Sequence, residues 1–177
     1  IENHPDKPWD WNSISQNPNI TMEFIEKYPG LCWFYISMNP NITIDIIEKY
    51  PEKPWEWSYY GISRNPNITM ELIEKHPDKP WNWMCISGNK NITMEIIEKH
   101  PDKPWDWKVI SMNRNITMEI IEKHPDKPWD WGYISENPNI TTMKNIDKYP
   151  DKAWNWKCIS RNPNITIRFI ENNINKI

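Results

Sequence analysis

Four histidines, His4, His76, His100 and His124, and four carboxylates, Asp10, Glu56, Asp106 and Asp130, recur at two fixed places in this chain. An imidazole can ligate a metal or act as a general base, and a carboxylate held between aromatic rings can act as a general acid. The other copies of the same pattern argue against both roles. The histidine position is occupied by Tyr28, Tyr50 and Tyr149 elsewhere, and a phenol does not replace imidazole in that chemistry. The carboxylate position is occupied by Asn82 and Asn155, whose amides have no proton to give. The glycines, Gly30, Gly61, Gly88 and Gly132, form no GxGxxG or P-loop setting. The sequence therefore predicts no enzyme, no cofactor and no metal site, and reads the histidines as rings packed ahead of a proline.

The remaining reactive groups point the same way. Cys32, Cys85 and Cys158 make an odd count with no CxxC pair, which predicts free thiols and a reducing compartment. Cys85 and Cys158 lie three repeats apart, and at about 10 Å per helix layer they are far beyond the roughly 6 Å that a disulfide spans. Seven N-x-T sequons run from Asn19 to Asn164. They read as a turn-forming Asn followed by a helix-capping Thr rather than as glycosylation sites.

What must position these residues is a repeat. NPNIT or a close variant begins at Asn17, Asn39, Asn65, Asn89, Asn113, Asn137 and Asn162. PDKPWDW or a variant begins near Pro5, Pro51, Pro77, Pro101, Pro125 and Pro150, with a degenerate PGLCW at Pro29, and all 13 tryptophans fall on these motifs. The second half of each unit reads as a short helix, here Met22 to Tyr28, with Thr21 as N-cap, Ile20 and Ile25 as a hydrophobic staple and Pro29 as the stop. Glu23 and Lys27 sit on its outer face at the favourable spacing of four. The first half, Asp6 to about Gln16, also reads as a helix, capped by Asp6 with Pro8 in its first turn and Trp11 and Ile14 on one face. Two such helices per unit predict about two thirds helix, against a third in ordinary domains.

One unit buries too little apolar surface to offset its backbone entropy, so neighbours must stack. The expected fold is all-α: a single array over residues 1–177, an α-solenoid of seven roughly 24-residue helix-turn-helix repeats wound as a right-handed superhelix. The chain opens at Ile1 partway through a repeat, as a piece cut from a longer array would. Two residues are missing between Pro29 and Ile36, and two are extra between Trp57 and Ile62. Two residues turn a helix by about 200°, which predicts that Tyr59 takes the place of Trp11 and Trp57 that of Trp9.

Only 38% of the residues are apolar and the mean hydropathy is -0.84, yet the tryptophan content rules out a disordered chain. A net charge of -3 gives no electrostatic reason for nucleic acid or an anionic membrane as partner, and no apolar run reaches the roughly 18 residues of a membrane span. The paired tryptophans could form a stacking platform for sugars or bases. At helical spacing Trp11 and its equivalents read as core, while Trp9 and its equivalents are left open.

PDKPWDW alternating with ISxNPNITMEIIEKH resembles the short tandem repeats in proteins of amoeba-infecting giant DNA viruses of the mimivirus type, over essentially the whole chain. The resemblance transfers no activity and no functional residue. It implies expression inside an infected host cell, in host cytoplasm or virion, and not secretion.

The repeats also differ from one another in a patterned way. The two residues before the Ile-Ser pair and the one after it are variable, and on a helix they share one face. Phe34, Tyr35, Met38, Tyr60, Arg64, Met84, Met112 and Tyr133 belong to this stripe. A face that meets something non-repetitive is free to differ, and so is a face that is merely exposed; large apolar side chains in water favour the first. The sequence thus predicts a protein-binding scaffold using this stripe to hold a host or viral protein. The alternative is a structural, self-associating array, and a more distant one is single-stranded nucleic-acid binding.

Overall fold

The computed structural model describes His4 and residues 6–174; the repeat start expected near Pro5 lies outside these. Among the described residues there are thirteen α-helices, one 3-10 turn and no strand, and the helices recur about every 24 residues as an all-α repeat solenoid. The chain forms two compact units, Ile1–Ile86 and Ser87–Ile177, with the boundary inside the helix Trp83–Ser87.

The second helix of each repeat is as the sequence predicts. Met22–Lys27, Ile44–Lys49, Met70–Lys75, Met94–Lys99, Met118–Lys123, Met143–Lys148 and Ile167–Asn173 each follow a threonine whose hydroxyl accepts the third helical N–H. The staple isoleucines Ile20 and Ile25 are both buried. The Glu-before-Lys pairing holds at Glu71–Lys75, Glu95–Lys99 and Glu119–Lys123. In the first unit Lys75 also reaches Glu48 one repeat back, as Lys148 reaches Glu122 in the second.

The first helix is shorter than expected and starts later. It spans Trp11–Ser15, Trp33–Ser37, Trp83–Ser87, Trp107–Met112, Trp131–Ile134 and Trp156–Ile159, so less than half of the chain is helical rather than two thirds. The proline is responsible. It disfavours α geometry at the lysine before it, and the Lys-Pro-Trp segment closes instead as a tight turn, with Trp9 N–H donating to Lys7 O and Trp105 N–H to Lys103 O, both at 2.8 Å. Asp6 is therefore not the cap. That role falls to the residue between the tryptophans: Asp10, Asp106, Asp130 and Asn155 each accept a backbone N–H of the helix that follows. Asp and Asn cap equally well, which explains why they exchange here.

Three sets of contacts join successive repeats. In the first, the serine of the Ile-Ser pair, buried without exposure at Ser15, Ser37, Ser63, Ser87, Ser111 and Ser135, accepts the N–H of the next repeat's cap residue. In the second, the first Asn of NPNIT sends its Nδ2 back to the preceding repeat: Asn39 to the carbonyls of Ser15 and Asn17, Asn65 to Ser37, Asn39 and Ile42, Asn137 to Asn113 and Ile116. Its Oδ1 meanwhile accepts the N–H two residues on, as Asn113 does from Asn115. In the third, tryptophans of neighbouring repeats meet edge to face, Trp33 with Trp55, Trp57 with Trp81, Trp107 with Trp129 and Trp131 with Trp154, centroids 5.0–5.2 Å apart.

The tryptophan preceding the cap is tied down as well. The indole N–H donates to the carbonyl at the His/Tyr position in Trp9–His4, Trp55–Tyr50, Trp81–His76, Trp105–His100, Trp129–His124 and Trp154–Tyr149. The ring at that position packs on the second tryptophan, as His76 does on Trp57 and Tyr149 on Trp131. A backbone acceptor and a flat ring are all the site demands, which both His and Tyr supply. The lysine of PDK adds a cation–π contact to the previous repeat's tryptophan, Lys79 over Trp57 and Lys152 over Trp131.

Candidate binding surface

The two length changes converge on one place in the first unit. In the degenerate repeat the deletion removes the first tryptophan. Leu31 is buried in its stead, and Trp33 keeps the helix-starting role. Cys32 stands at the cap without a side-chain bond, its N–H still donating to Ser15 Oγ at 2.8 Å.

The insertion behaves differently from the sequence expectation. Trp55 keeps the indole bond to Tyr50, and Trp57 keeps its edge-to-face contact with Trp81 and its packing on His76. Tyr59 does not replace the core tryptophan. The two extra residues are absorbed by a turn between Trp57 and Ile62, and a 3-10 helix, Ile62–Arg64, replaces the α-helix of the other repeats. The turn is closed by Ile62 N–H donating to Glu56 O at 2.7 Å. It needs Gly61: a Cβ there would lie 1.8 Å from Glu56 O. Glu56 caps the turn by accepting the Ser58 N–H, and that bond holds its carboxyl below the usual range.

This turn pushes Tyr60 out onto the neighbouring repeat. Its ring stacks on Phe34 with centroids 5.0 Å apart and an interplanar angle of 27°, while 49% of the residue remains exposed. Phe34 meets Tyr35 edge to face at 5.1 Å, and Tyr60 meets Tyr59 at 4.5 Å. The Arg64 guanidinium lies 5.8 Å from the Tyr59 ring. Four aromatic rings and one cation thus form a continuous, part-exposed chain. Cys85 borders it, its Sγ 3.7 Å from the Tyr59 carbonyl, and burial pushes its thiol up despite the nearby Arg64.

Of the predicted stripe residues, Phe34, Tyr35, Tyr60 and Arg64 are brought together. Tyr59, which bridges Tyr60 and Arg64, was not among the candidates; its signal was the insertion, which marks a residue with no repeat equivalent. Met38 is half-buried at the end of the helix Trp33–Ser37, and Met84 is exposed on Trp83–Ser87. Met112 and Tyr133 belong to the second unit, both exposed.

The other chemically capable groups have structural duties. The sequon amides of Asn67, Asn115, Asn139 and Asn164 donate to carbonyls of the preceding repeat, and Asn41 donates to Pro18 O. The three cysteines are free thiols. Among the described residues no group of three His, Cys, Asp or Glu could hold a metal, and no helix is long and apolar enough to cross a membrane. Compared with protein-family models, curated proteins and solved structures, the chain matches none of them.

Proposed function

We propose that this chain is a protein-binding scaffold, without catalytic activity of its own, whose principal contact is the patch of Phe34, Tyr35, Tyr59, Tyr60 and Arg64. The observation that carries this reading is the stacking of Tyr60 on Phe34 between two adjacent repeats, one two residues short and the next two residues long. The patch is rich in Tyr and Arg, the residues that dominate binding energy at protein interfaces. Met38 and Met84 occupy the same variable positions in the first unit, and Met112 and Tyr133 occupy them in the second. The partner is a host or viral protein, met inside the infected cell, and the array belongs with the giant-virus repeats it resembles. A nucleic-acid role is less well supported, because the tryptophans that would stack on bases are engaged with one another.

The test is a titration. A partner captured with the full chain is titrated against the Tyr35→Ser, Tyr60→Ser double variant, which loses at least about tenfold in affinity, or about 1.4 kcal/mol. Unchanged affinity in that variant, together with loss on changing Glu23, Lys27 and Glu48 on the second helices, contradicts the assignment.

A further inference from the structure

In the second unit, Ser87–Ile177, charge is sorted between the faces of the repeats. Lysines of the second helices and the PDK turns pair with acids there, Lys99 with Glu95, Lys103 with Asp102, Lys123 with Glu119 and Lys148 with Glu122. Lys90, Lys108, Arg114, Lys157 and Arg161 differ. All five are exposed and form no ion pair among the described residues, and each stands at a variable position of the first helix or at the second place of NPNIT. Glu136 is the one acid at these positions in the unit, and it accepts the Cys158 thiol at 3.5 Å. Five cations thus share this set of positions with one carboxylate, on a chain whose net charge is -3.

The fold does not ask for the cations at 90 and 114. Asn89 O accepts the Ile92 N–H at 3.0 Å and Asn113 O the Ile116 N–H at 2.9 Å, just as Asn137 O accepts the Ile140 N–H at 3.1 Å around Pro138. Proline is favoured at the second place of such a turn and stiffens the unfolded chain, so Lys90 and Arg114 forgo some stability for their charge.

Arg114 and Arg161 line one groove of about 400 Å³, together with Ser135, Glu136, Pro138 and Cys158. Exposure at Arg161 belongs to its position in the repeat, since Arg64, Gly88, Met112 and Glu136 hold that position in interior repeats and are exposed as well. Met112 and Tyr133, each 38% exposed, add apolar surface at the variable positions.

We infer that this face of the second unit binds an acidic peptide segment in extended form, its carboxylates on Lys90, Arg114 and Arg161 and its apolar side chains on Met112 and Tyr133. The inference deepens the scaffold reading, on which it rests, by naming the chemistry of the partner. A guanidinium meets a carboxylate with two parallel hydrogen bonds, and unpaired cations are free to do so. The first helices Trp107–Met112 and Trp131–Ile134 pack on each other, so successive repeats advance about 10 Å, which is about three residues of extended chain. Carboxylates three residues apart therefore keep step with the repeats. A nucleic-acid strand, with a phosphate about every 3.4 Å, is too densely charged for this spacing and would meet Glu136.

The probe is a fluorescein-labelled peptide of about ten residues, enough for three repeats, with Glu at every third place and Leu and Ser between, titrated into the full chain by fluorescence anisotropy. Binding should saturate below about 1 mM and weaken as salt is raised. Reversing both arginines, Arg114→Glu with Arg161→Glu, should weaken it at least about tenfold, and Lys90→Glu alone about threefold. The same change of net charge on the second helices, Lys99→Glu with Lys123→Glu, should leave it within about twofold; circular dichroism verifies that all variants fold. Unchanged affinity in the arginine variant, or equal losses in both double variants, overturns the proposal. So does an oligothymidylate that binds more tightly than the peptide and displaces it, which would make this a nucleic-acid face. The Tyr35→Ser, Tyr60→Ser variant should bind the probe as wild type does, and a loss there would overturn the placement on the second unit. A probe that never binds also overturns the proposal while leaving the Phe34–Tyr60 patch standing, because that patch is tested with a captured partner.

Discussion

Ser111 Oγ accepts the backbone N–H of Asp130 at 3.0 Å while its own hydroxyl donates to the carbonyl of Trp107 at 2.7 Å. One buried oxygen thus ties the end of a helix in one repeat to the cap of the helix in the next. The Ser111→Ala variant leaves that N–H without an acceptor and should lose about 1–3 kcal/mol. Ser160→Ala, at the exposed equivalent, should lose less than about 0.5 kcal/mol. Urea melts of the two variants check the difference; equal losses would mean that the serine relay does not hold the repeats together.

The asparagine bonds between repeats give a prediction with a pH signature. Asn137→Asp keeps the acceptor for the Asn139 N–H but replaces a donor that serves the carbonyls of Asn113 and Ile116. A buried carboxylate facing carbonyls favours its protonated form, so its folded pKa is raised above the unfolded value. The variant should lose at least about 2 kcal/mol at neutral pH and recover part of it as pH falls through the unfolded-to-folded range. Wild type moves the other way. Glu122 is held below the usual range, first by Lys148 and then by Tyr149, and its small contribution disappears as pH drops through its folded pKa. Thermal melts between acidic and neutral pH should show the stability deficit of the variant relative to wild type shrinking as pH falls; a deficit that stays constant or grows would contradict this.

Trp107 and Glu119 mark the two sides of one repeat. Trp107 meets Trp129 edge to face and lies under Lys127, so Trp107→Ala should cost about 3 kcal/mol, near the lower end for such truncations because the ring is part-exposed. Glu119 is exposed and paired with Lys123 four residues on, and Glu119→Ala should cost under about 0.5 kcal/mol. Denaturant titrations that gave the two variants equal losses would reverse the assignment of buried and outer faces.

Gly61 is the residue on which the aromatic patch depends. Gly61→Ala drives a methyl into the Glu56 carbonyl and should open the turn, costing more than about 3 kcal/mol and releasing Tyr60 from Phe34. Gly30→Ala meets Trp11 only at ordinary contact distance, 3.7 Å, and should change stability by less than about 1 kcal/mol. Near-ultraviolet circular dichroism reports the patch directly, and a Gly61→Ala spectrum identical to wild type would show that the turn does not position Tyr60.

Much of this was legible in the sequence because the same local problem is solved seven times. The threonine caps, the Ile20–Ile25 staple and the structural reading of the His/Tyr position needed only capping chemistry and internal comparison. The first helix is shorter than Pro8 in a first helical turn predicts, because the same proline disfavours α geometry at Lys7 and the segment closes as a tight turn, with Trp9 N–H on Lys7 O. The serine and asparagine bridges were hidden because their partners are backbone atoms one repeat away. The rotation expected from two extra residues holds only for a continuous helix from Trp57 to Ile62, and a turn absorbs them instead. Tyr59 therefore joins the patch, between Tyr60 and Arg64, where continuous helix would have buried it.

That a protein partner sits on the Phe34–Tyr60 patch is tested most directly by photo-cross-linking from two positions of the full chain. A photoreactive phenylalanine analogue replaces Tyr60 in one preparation and Glu119, on the outer face of a second helix, in the other. A captured partner should be cross-linked from position 60 and not from position 119. Cross-linking from position 119 alone would contradict it and move the binding surface to the second helices.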